Sequence, residues 1–298
     1  MTVQQALVVA TYSRRMGLRL PGGQEVDARI KGKRLRPVCG DRVEVEPIPN
    51  ESDWLITRVL ERDNELSRPN LRGKVEVLAA NIDRLLVMAA GTPEPDWEIV
   101  DRYLCAAEVM SVAAAVIYNK SDLPVTPSLD EILSDYDRIG YVVVRCSAKS
   151  GDNIDAVCSL LSNGVSIIVG QSGVGKSSLI NRLLGDEQQR TATISGKSGE
   201  GRHTTVNSAL LQLPEGGAVI DSPGVRDYAP ALQSDDVAVG YREITMTAQK
   251  CRFANCNHLR EPGCAVKLAV DDGSISKRRY DSYRHLLALT RKLSARRY

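Results

Sequence analysis

The stretch GQSGVGKS, from Gly170 to Ser177, constrains the fold more strongly than any other part of the sequence. It matches the pattern G-x-x-x-x-G-K-[ST] and lies between the apolar run VSIIV and the helix-like run SSLINRLLG. Glycines let the backbone curl so that successive N–H groups face a phosphate, and the N-terminus of the following helix attracts the same anion. The pattern therefore predicts a strand–loop–helix unit that binds nucleotide phosphates within an α/β domain.

Two side chains at the end of this loop have specific predicted roles. Lys176 places a positive charge near the β- and γ-phosphate oxygens, and Ser177 offers its hydroxyl to Mg²⁺. The predicted phosphate contacts are Gly170, Gln171, Ser172, Gly173, Val174, Gly175, Lys176, Ser177 and Ser178.

A second motif, Asn119-Lys-Ser-Asp122, follows the apolar run AAAVIY and matches the guanine-reading pattern [NT]-K-x-D. The Asp122 carboxylate can accept hydrogen bonds from N1–H and N2–H₂ of guanine, a donor pair that adenine lacks. SAK, at 147–149, fits the companion loop whose backbone meets guanine O6. An ATP-using enzyme is an alternative that rests on the phosphate loop alone and conflicts with this base reader. The predicted base contacts are Asn119, Lys120, Ser121, Asp122, Ser147, Ala148 and Lys149.

A third motif, DSPG, follows the strand-like run EGGAVI. At a strand end, Asp221 can hold the water shell of Mg²⁺, and the N–H of Gly224 can meet the γ-phosphate. A polar, glycine-rich segment precedes this motif, and Thr204 or Thr205 within it could give Mg²⁺ a hydroxyl that closes when the γ-phosphate is present.

The sequence offers more than one candidate for the group that orients the attacking water. Val225 follows DSPG where Ras-like GTPases carry a water-orienting glutamine, and valine cannot polarise water. His203 borders the threonine pair and is one of three histidines in the chain. We interpret it as a candidate catalytic residue, with an exposed loop histidine or a group supplied by a partner as the alternatives.

Three cysteines and one histidine fall within fourteen residues: Cys251, Cys256, His258 and Cys264. A closed set of three thiolates and one imidazole suits tetrahedral structural Zn²⁺ and leaves no vacant position for a catalytic water. The spacing C-x₄-C-x-H-x₅-C departs from the common C-x₂-C knuckle, so the density of ligands, more than the motif, predicts the metal.

The 298 residues divide by pattern into three predicted domains. Short apolar stretches between turn residues predict a small β domain over 1–75, a barrel or sandwich of which the OB-type barrel is one member. Apolar strands alternating with helices predict a largely parallel α/β domain over 76–240. Residues 241–298 carry the Cys/His cluster and a basic helix. The polar run at 62–74 reads as a linker.

Charge is distributed unevenly along the chain. The three predicted domains carry 14, 12 and 13 Lys/Arg against 10, 22 and 5 Asp/Glu, so the two ends are basic and the middle is acidic. Basic ends indicate contact with a polyanion, whereas solvated loops and a docked helix with a solvated basic face are the alternatives. The basic residues of the first domain are Arg14, Arg15, Arg19, Arg29, Lys31, Lys33, Arg34 and Arg36.

No apolar stretch approaches the roughly 20 residues that a membrane span needs. The N-terminus lacks a basic leader ahead of its apolar run, which argues against a signal peptide. We therefore expect a cytoplasmic monomer with no membrane partner.

The order of the motifs is rotated, because the base reader and its companion loop precede the phosphate loop, the threonine pair and DSPG. Their roles require fixed strand neighbours, so the rotated order implies a circularly permuted domain. Together with an N-terminal β domain, the motifs GQSGVGKSSL, GRHTT, DSPG and C-x₄-C-x-H-x₅-C closely resemble the circularly permuted, small-ribosomal-subunit-dependent GTPases of the RsgA family.

This resemblance covers essentially the whole chain and carries functional expectations. It implies an OB-fold N-terminal domain, GTP hydrolysis stimulated by the small ribosomal subunit and its RNA, and a role in late subunit maturation. It also implies that the Cys/His set binds zinc and that His203 is the hydrolytic histidine. A nucleotide-switched RNA-binding module with incidental hydrolysis is the alternative.

Overall fold

A computed structural model describes residues 3–13, 15–32, 34–70, 74–195, 207–222 and 228–295. For residues 186–195 the backbone alone is described.

The first five described strands form a closed barrel, in the order β1-β2-β3-β5-β4, with β4 pairing back to β1. Apolar side chains alternate along the strands and fill the interior, so that Val8, Leu18 and Ile56 are fully buried. The barrel expected from the turn-separated apolar stretches is confirmed. Its strands are β1 (Gln4–Thr11), β2 (Met16–Arg19), β3 (Glu25–Ile30), β4 (Arg42–Pro47) and β5 (Trp54–Val59).

The segment predicted as a linker instead begins a hairpin of β6 (Glu65–Pro69) and β7 (Val75–Ala80). Leu66 is fully buried in the core beneath the hairpin. It is the one buried residue of β6, and its polar neighbours in the sequence give no apolar pattern that would predict a strand. The ion pair of Arg62 with the buried Asp41, at 2.7 Å, fixes the entry to the hairpin against the barrel.

Six described strands form the sheet of the central domain, in the order β10-β9-β8-β11-β13-β12. All neighbours are parallel except the β12–β13 pair, as near-continuous apolar strands predict. The sequence reading missed β12 and α2. The strands are β8 (Arg84–Ala90), β9 (Ala113–Asn119), β10 (Val142–Arg145), β11 (Val165–Gly170), β12 (Ser208–Gln212) and β13 (Ala218–Asp221).

Helices cover this sheet, and two of them begin at a residue whose side chain caps the helix. Asp96 caps α1 by accepting hydrogen bonds from the N–H groups of Glu98 and Ile99, and Thr126 caps α2 just before a proline. The helix of the phosphate loop, α4, is interrupted at Gly185, where φ is 67°. The helices are α1 (Trp97–Met110), α2 (Pro127–Arg138), α3 (Ile154–Leu161) and α4 (Lys176–Ser195).

The barrel and the central sheet are joined through their backbones. Strand β1 pairs antiparallel with β12, matching Thr11 with Ser208. The N–H of Asn207 also donates to the carbonyl of Thr11, at 2.9 Å. The N-terminal domain is therefore hydrogen-bonded to the strand next to β13.

The C-terminal module docks onto the central domain through its last helix. One face of that helix is apolar and buried, and it includes Tyr283, Leu286 and Leu287. The described helices of the module are α5 (Asp236–Val239), α6 (Arg242–Ala248), α7 (Ala265–Asp271) and α8 (Lys277–Ala295).

A buried ion network fastens α8 to α1. Asp101, fully buried, lies 2.7 Å from Arg279 and 2.9 Å from Arg278, and it accepts a hydrogen bond from the Tyr136 hydroxyl. Arg279 also pairs with Glu243 through two hydrogen bonds, of 2.7 and 3.0 Å. Burial disfavours the ionised carboxylate, but the two arginines outweigh it and hold the pKa of Asp101 below its usual value. The network is therefore ionised at neutral pH.

We expect Arg279→Ala to destabilise the protein by about 3–5 kcal/mol, because it removes the arginine that pairs with the largely buried side chain of Glu243 and one of the two that pair with buried Asp101. The free energy of unfolding, measured in urea, checks this. Arg284→Ala is the matched control, since Arg284 pairs with Asp281 at an exposed position of the same helix, and its cost should stay below about 1 kcal/mol. Equal losses in the two variants would contradict the assignment.

Candidate nucleotide site and metal centre

The phosphate loop curls between β11 and α4 in a conformation that two of its glycines require. Gly170 has φ 138°, and a Cβ there would lie 2.2 Å from the carbonyl oxygen of Met88. Gly175 has φ 98°, and a Cβ there would lie 2.3 Å from the side-chain nitrogen of Asn119. The base reader thus occupies the space that any larger residue at position 175 would need.

The amide of Asn119 joins three loops. Its nitrogen donates to the carbonyl of Val174 in the phosphate loop, at 2.8 Å, and its oxygen accepts from the N–H of Ala148, at 2.9 Å. Asn119 is 2% exposed, so neither bond competes with solvent. The predicted phosphate and base loops therefore lie together and are held at a fixed separation.

Two lysines strengthen the same arrangement. Lys120, in the positive-φ region at 62°, donates from its amine to the carbonyls of Thr92 and Gly173, at 2.7 and 2.8 Å. Lys176 donates to the carbonyls of Gly170 and Gln171, at 2.7 and 2.8 Å. Both amines lie against the loop that the sequence assigns to phosphate.

The carboxylate that would read the base is oriented and ionised. The Ser147 hydroxyl donates to Asp122 Oδ1 at 2.6 Å, and this bond lowers the pKa of Asp122 below its usual value. The Ser121 N–H donates to the carbonyl of Cys146, at 3.1 Å, which fixes the turn that carries Asp122. Asp122 and Lys149 are both exposed at the mouth of the site. The Asp122 carboxylate, exposed and with one oxygen held in place, can accept hydrogen bonds from the coplanar N1–H and N2–H₂ groups of guanine.

At the phosphate end, Asp221 closes strand β13 beside β11. Burial raises the pKa of Asp221, and the nearby charge of Lys176 opposes that shift. Ser177 and Ser178 lie exposed in the first turn of α4. This end of the site collects one carboxyl, one amine and two hydroxyls, the groups that magnesium and phosphate oxygens prefer.

Four residues of the predicted set, His203, Thr204, Thr205 and Gly224, lie outside the described residues. Their roles stay predictions.

The structure also adds a segment that the sequence did not predict, between β8 and α1. The N–H of Asp96 donates to Gln171 Oε1 at 3.1 Å, and the carbonyl of Thr92 accepts from Lys120. Its signal was the turn-rich run GTPEPD directly after a buried strand, where the ends of parallel strands meet.

The Cys/His set is assembled as the sequence predicts. The four ligand atoms of Cys251, Cys256, His258 and Cys264 lie within 4.8 Å of one another. His258 Nδ1 lies 3.6 and 3.5 Å from two of the sulfurs, which are 4.0 Å apart. A tetrahedral ion with bonds of about 2.3 Å to sulfur and 2.0–2.1 Å to nitrogen needs edges of about this length. The donors therefore fit one four-coordinate metal ion.

Groups around the set hold its loop in shape. The Glu261 carboxylate accepts from the N–H groups of Asn257, Leu259 and Arg260, at 3.0, 2.8 and 2.9 Å. Burial opposes ionisation of this carboxyl, but the backbone donors outweigh it and lower the pKa of Glu261 to about 2. Tyr280 in α8 donates to the carbonyl of His258 at 2.6 Å.

Comparison with known proteins settles the family. A family model described as RsgA GTPase matches residues 59–230. The small ribosomal subunit biogenesis GTPase RsgA of Haemophilus influenzae is 38% identical over 303 residues, covering 99% of this chain and 87% of the relative. The chain belongs to the RsgA GTPase family. Another RsgA relative, from Azotobacter vinelandii, is 40% identical over 270 residues, covering 89% of this chain and 78% of the relative.

Solved structures agree with the RsgA fold. YjeQ from Thermotoga maritima superposes with a TM-score of 0.75 and 28% identity, covering 97% of this chain and 99% of that one. YloQ, described as a circularly permuted GTPase, gives a TM-score of 0.70 at 23% identity, covering 98% and 96%. The predicted barrel, permuted nucleotide domain and helical Cys₃His module are confirmed as the fold class.

We expect Glu261→Ala to weaken metal retention by about 10-fold or more, because three backbone N–H groups in the ligand loop lose their acceptor. The measurement is chelator competition on the purified protein loaded with a divalent metal. Glu215→Ala is the control, since Glu215 is exposed in a turn of the central domain. If both variants retain metal as the wild type does, Glu261 does not support the centre.

Proposed function

We propose that the chain hydrolyses GTP to GDP and phosphate, and that the small ribosomal subunit stimulates this reaction during late subunit maturation. The observation that carries the proposal is the Asn119 amide, which binds the phosphate loop and the companion base loop at once. A guanine base held by Asp122 then places its own phosphates over Lys176. The names of the RsgA relatives, small ribosomal subunit biogenesis GTPases, support the choice of partner.

Guanine selection follows from the ionised carboxylate at the mouth of the site. With Ser147 holding one oxygen, Asp122 presents an acceptor to N1–H and N2–H₂ of guanine. Adenine offers no such donor pair, so its complex would leave the carboxylate without partners. This argument favours GTP over ATP as the substrate.

We assign the metal roles to residues whose chemistry fits them. Ser177 and Asp221, with Thr204 or Thr205, would hold Mg²⁺, which neutralises charge that develops on the phosphate oxygens. Gly224 would donate its N–H to the γ-phosphate, and His203 would orient the attacking water. The Cys₃His set would hold structural Zn²⁺, since three thiolates and an imidazole leave no position for catalysis.

The proposed partner, the small ribosomal subunit, determines where we expect the protein to act and which of its surfaces contact RNA. We propose a cytoplasmic monomer whose basic barrel and C-terminal helix contact ribosomal RNA. Some cations of the barrel serve the fold itself, because Arg15, Arg19 and Arg29 each pair with an acid within the barrel. No described helix is long and apolar enough to cross a membrane.

We expect Asp122→Ala to weaken GTP binding roughly 100-fold, since two hydrogen bonds to a charged acceptor contribute about 3 kcal/mol together. ATP binding should stay at its wild-type level. Competition of the two nucleotides against a fluorescent GDP analogue measures both affinities. A parallel loss of GTP and ATP affinity would show that Asp122 maintains the fold of the site and does not read the base.

GTP turnover measured with and without small ribosomal subunits, at two salt concentrations, tests the proposed function. We expect stimulation that weakens as salt rises, because contacts with RNA phosphates release counterions. His203→Ala should lower the stimulated rate by about 10²–10⁴ and leave GTP affinity intact. His285→Ala is the control, a histidine at an exposed position of α8.

Two outcomes would contradict the proposal. A turnover rate that subunits leave unchanged would refute stimulation by this partner. If Lys176→Ala abolishes hydrolysis yet subunit binding still depends on the nucleotide, a nucleotide-switched RNA-binding module with incidental hydrolysis explains the protein better.

A further inference from the structure

Tyr228 is a buried ring at a junction of three parts of the fold. It lies seven positions after Asp221 in the sequence and is 1% exposed. Its ring stacks on that of Tyr103 in α1, with centroids 4.2 Å apart and planes within 5°. Its hydroxyl donates to the carbonyl of Ser67 in β6, at 3.2 Å, and the N–H of Ala231 donates to the same carbonyl, at 3.3 Å. Tyr228 is thus fixed to α1 and to the hairpin at one point.

Helix α1 connects this junction to the nucleotide site. Its N-cap residue, Asp96, donates its backbone N–H to Gln171 of the phosphate loop. Two residues before Tyr103, Asp101 is held by Arg279 of α8. Both restraints act on one continuous helix, so Tyr103 has a fixed position relative to the phosphate loop.

The hairpin connects the junction to the outer surface. Residues of β6 and β7 form one wall of a groove of about 1490 Å³. Ser222, directly after Asp221, lines the same groove, as do Arg34 and Arg62 of the barrel side and Lys74 of the hairpin. An anionic partner that enters this groove meets the hairpin and the end of β13 together.

We propose that Tyr228 is a positioning residue for hydrolysis stimulated by the partner. Contact of the small subunit with the β6–β7 hairpin moves Ser67, and Tyr228 transmits that displacement through its stack on Tyr103 and along α1 to Gln171 of the phosphate loop. A close-packed interior transmits such a displacement because it has no free volume to absorb it. The ring carries the displacement to α1 through its stack on Tyr103. The link to β6 does not depend on the hydroxyl alone, because the N–H of Ala231 also donates to the carbonyl of Ser67. This inference rests on the proposed function.

The test compares Tyr228→Leu, which removes the ring, with Tyr228→Phe, which keeps it. The readout is the ratio of subunit-stimulated to basal GTP turnover at saturating GTP, together with the KM for GTP. We expect the ratio to fall about 10-fold in Tyr228→Leu and to stay near the wild-type value in Tyr228→Phe. Equal losses of the stimulated and basal rates, with the ratio preserved, would overturn the proposal and leave Tyr228 a packing residue.

A second variant pair tests the path through α1. If the stack carries the effect, Tyr103→Leu lowers the ratio, and adding Tyr228→Leu lowers it no further. Losses that multiply in the double variant would overturn the path. The two single variants also control for each other, because each removes one ring from the same pair.

A measurement on the wild type keeps the proposal testable if the leucine variants fail to fold. We expect hydrogen exchange at residues 65–80 to differ between the GDP complex and the complex with a non-hydrolysable GTP analogue. Equal exchange in the two complexes would overturn the coupling. A wild type that small subunits do not stimulate, yet whose hairpin exchange differs, would refute the proposed function and leave the coupling in place.

Discussion

The side-chain amide of Asn119 is the interaction on which the nucleotide site depends. Its two hydrogen bonds reach loops that lie 55 and 29 residues downstream in the chain, the first after β11 and the second after β10. Gly175 must be glycine because this amide fills the space beside it. The order of motifs along the sequence is therefore unimportant to the site, since the order of strands in the sheet sets the distances. Circular permutation changes where the chain enters and leaves and keeps these contacts.

What permutation changes is the attachment of the neighbouring domains. The barrel and hairpin precede β8, and the Cys₃His module follows β13. Buried charges then fasten the module to the centre, through Asp101 and Arg279. Burying these charges costs desolvation free energy that hydrophobic packing would not cost. In return, the charges are all paired in one relative position of the two helices only. The arrangement favours a defined orientation of α8 over maximal stability.

Much of the site was predictable because its chemistry is local in sequence. Gly170 to Ser178, Asn119 to Asp122 and the Cys/His ligands sit in short runs whose residue types have few other uses, and the structure brings each run together. The strands β8, β9 and β11 were equally clear as apolar runs between turn residues. Strand β12 and the hairpin were missed because their sequences mix polar and apolar residues. Few of their side chains are buried, and Leu66 is one of these. Contacts between distant residues, such as Gln171 with Asp96 or Tyr103 with Tyr228, leave no periodic signal in one chain.

The pairing of β1 with β12 has a consequence beyond joining two domains. A strand at the end of a sheet exposes unpaired N–H and C=O groups that can recruit a strand from another molecule. Here the first strand of the barrel occupies part of that edge, at Ala209 and Ser208. The N-terminal domain therefore also shields the nucleotide-binding sheet from edge-to-edge self-association. A natural variant that lost its barrel would have to protect this edge by another means.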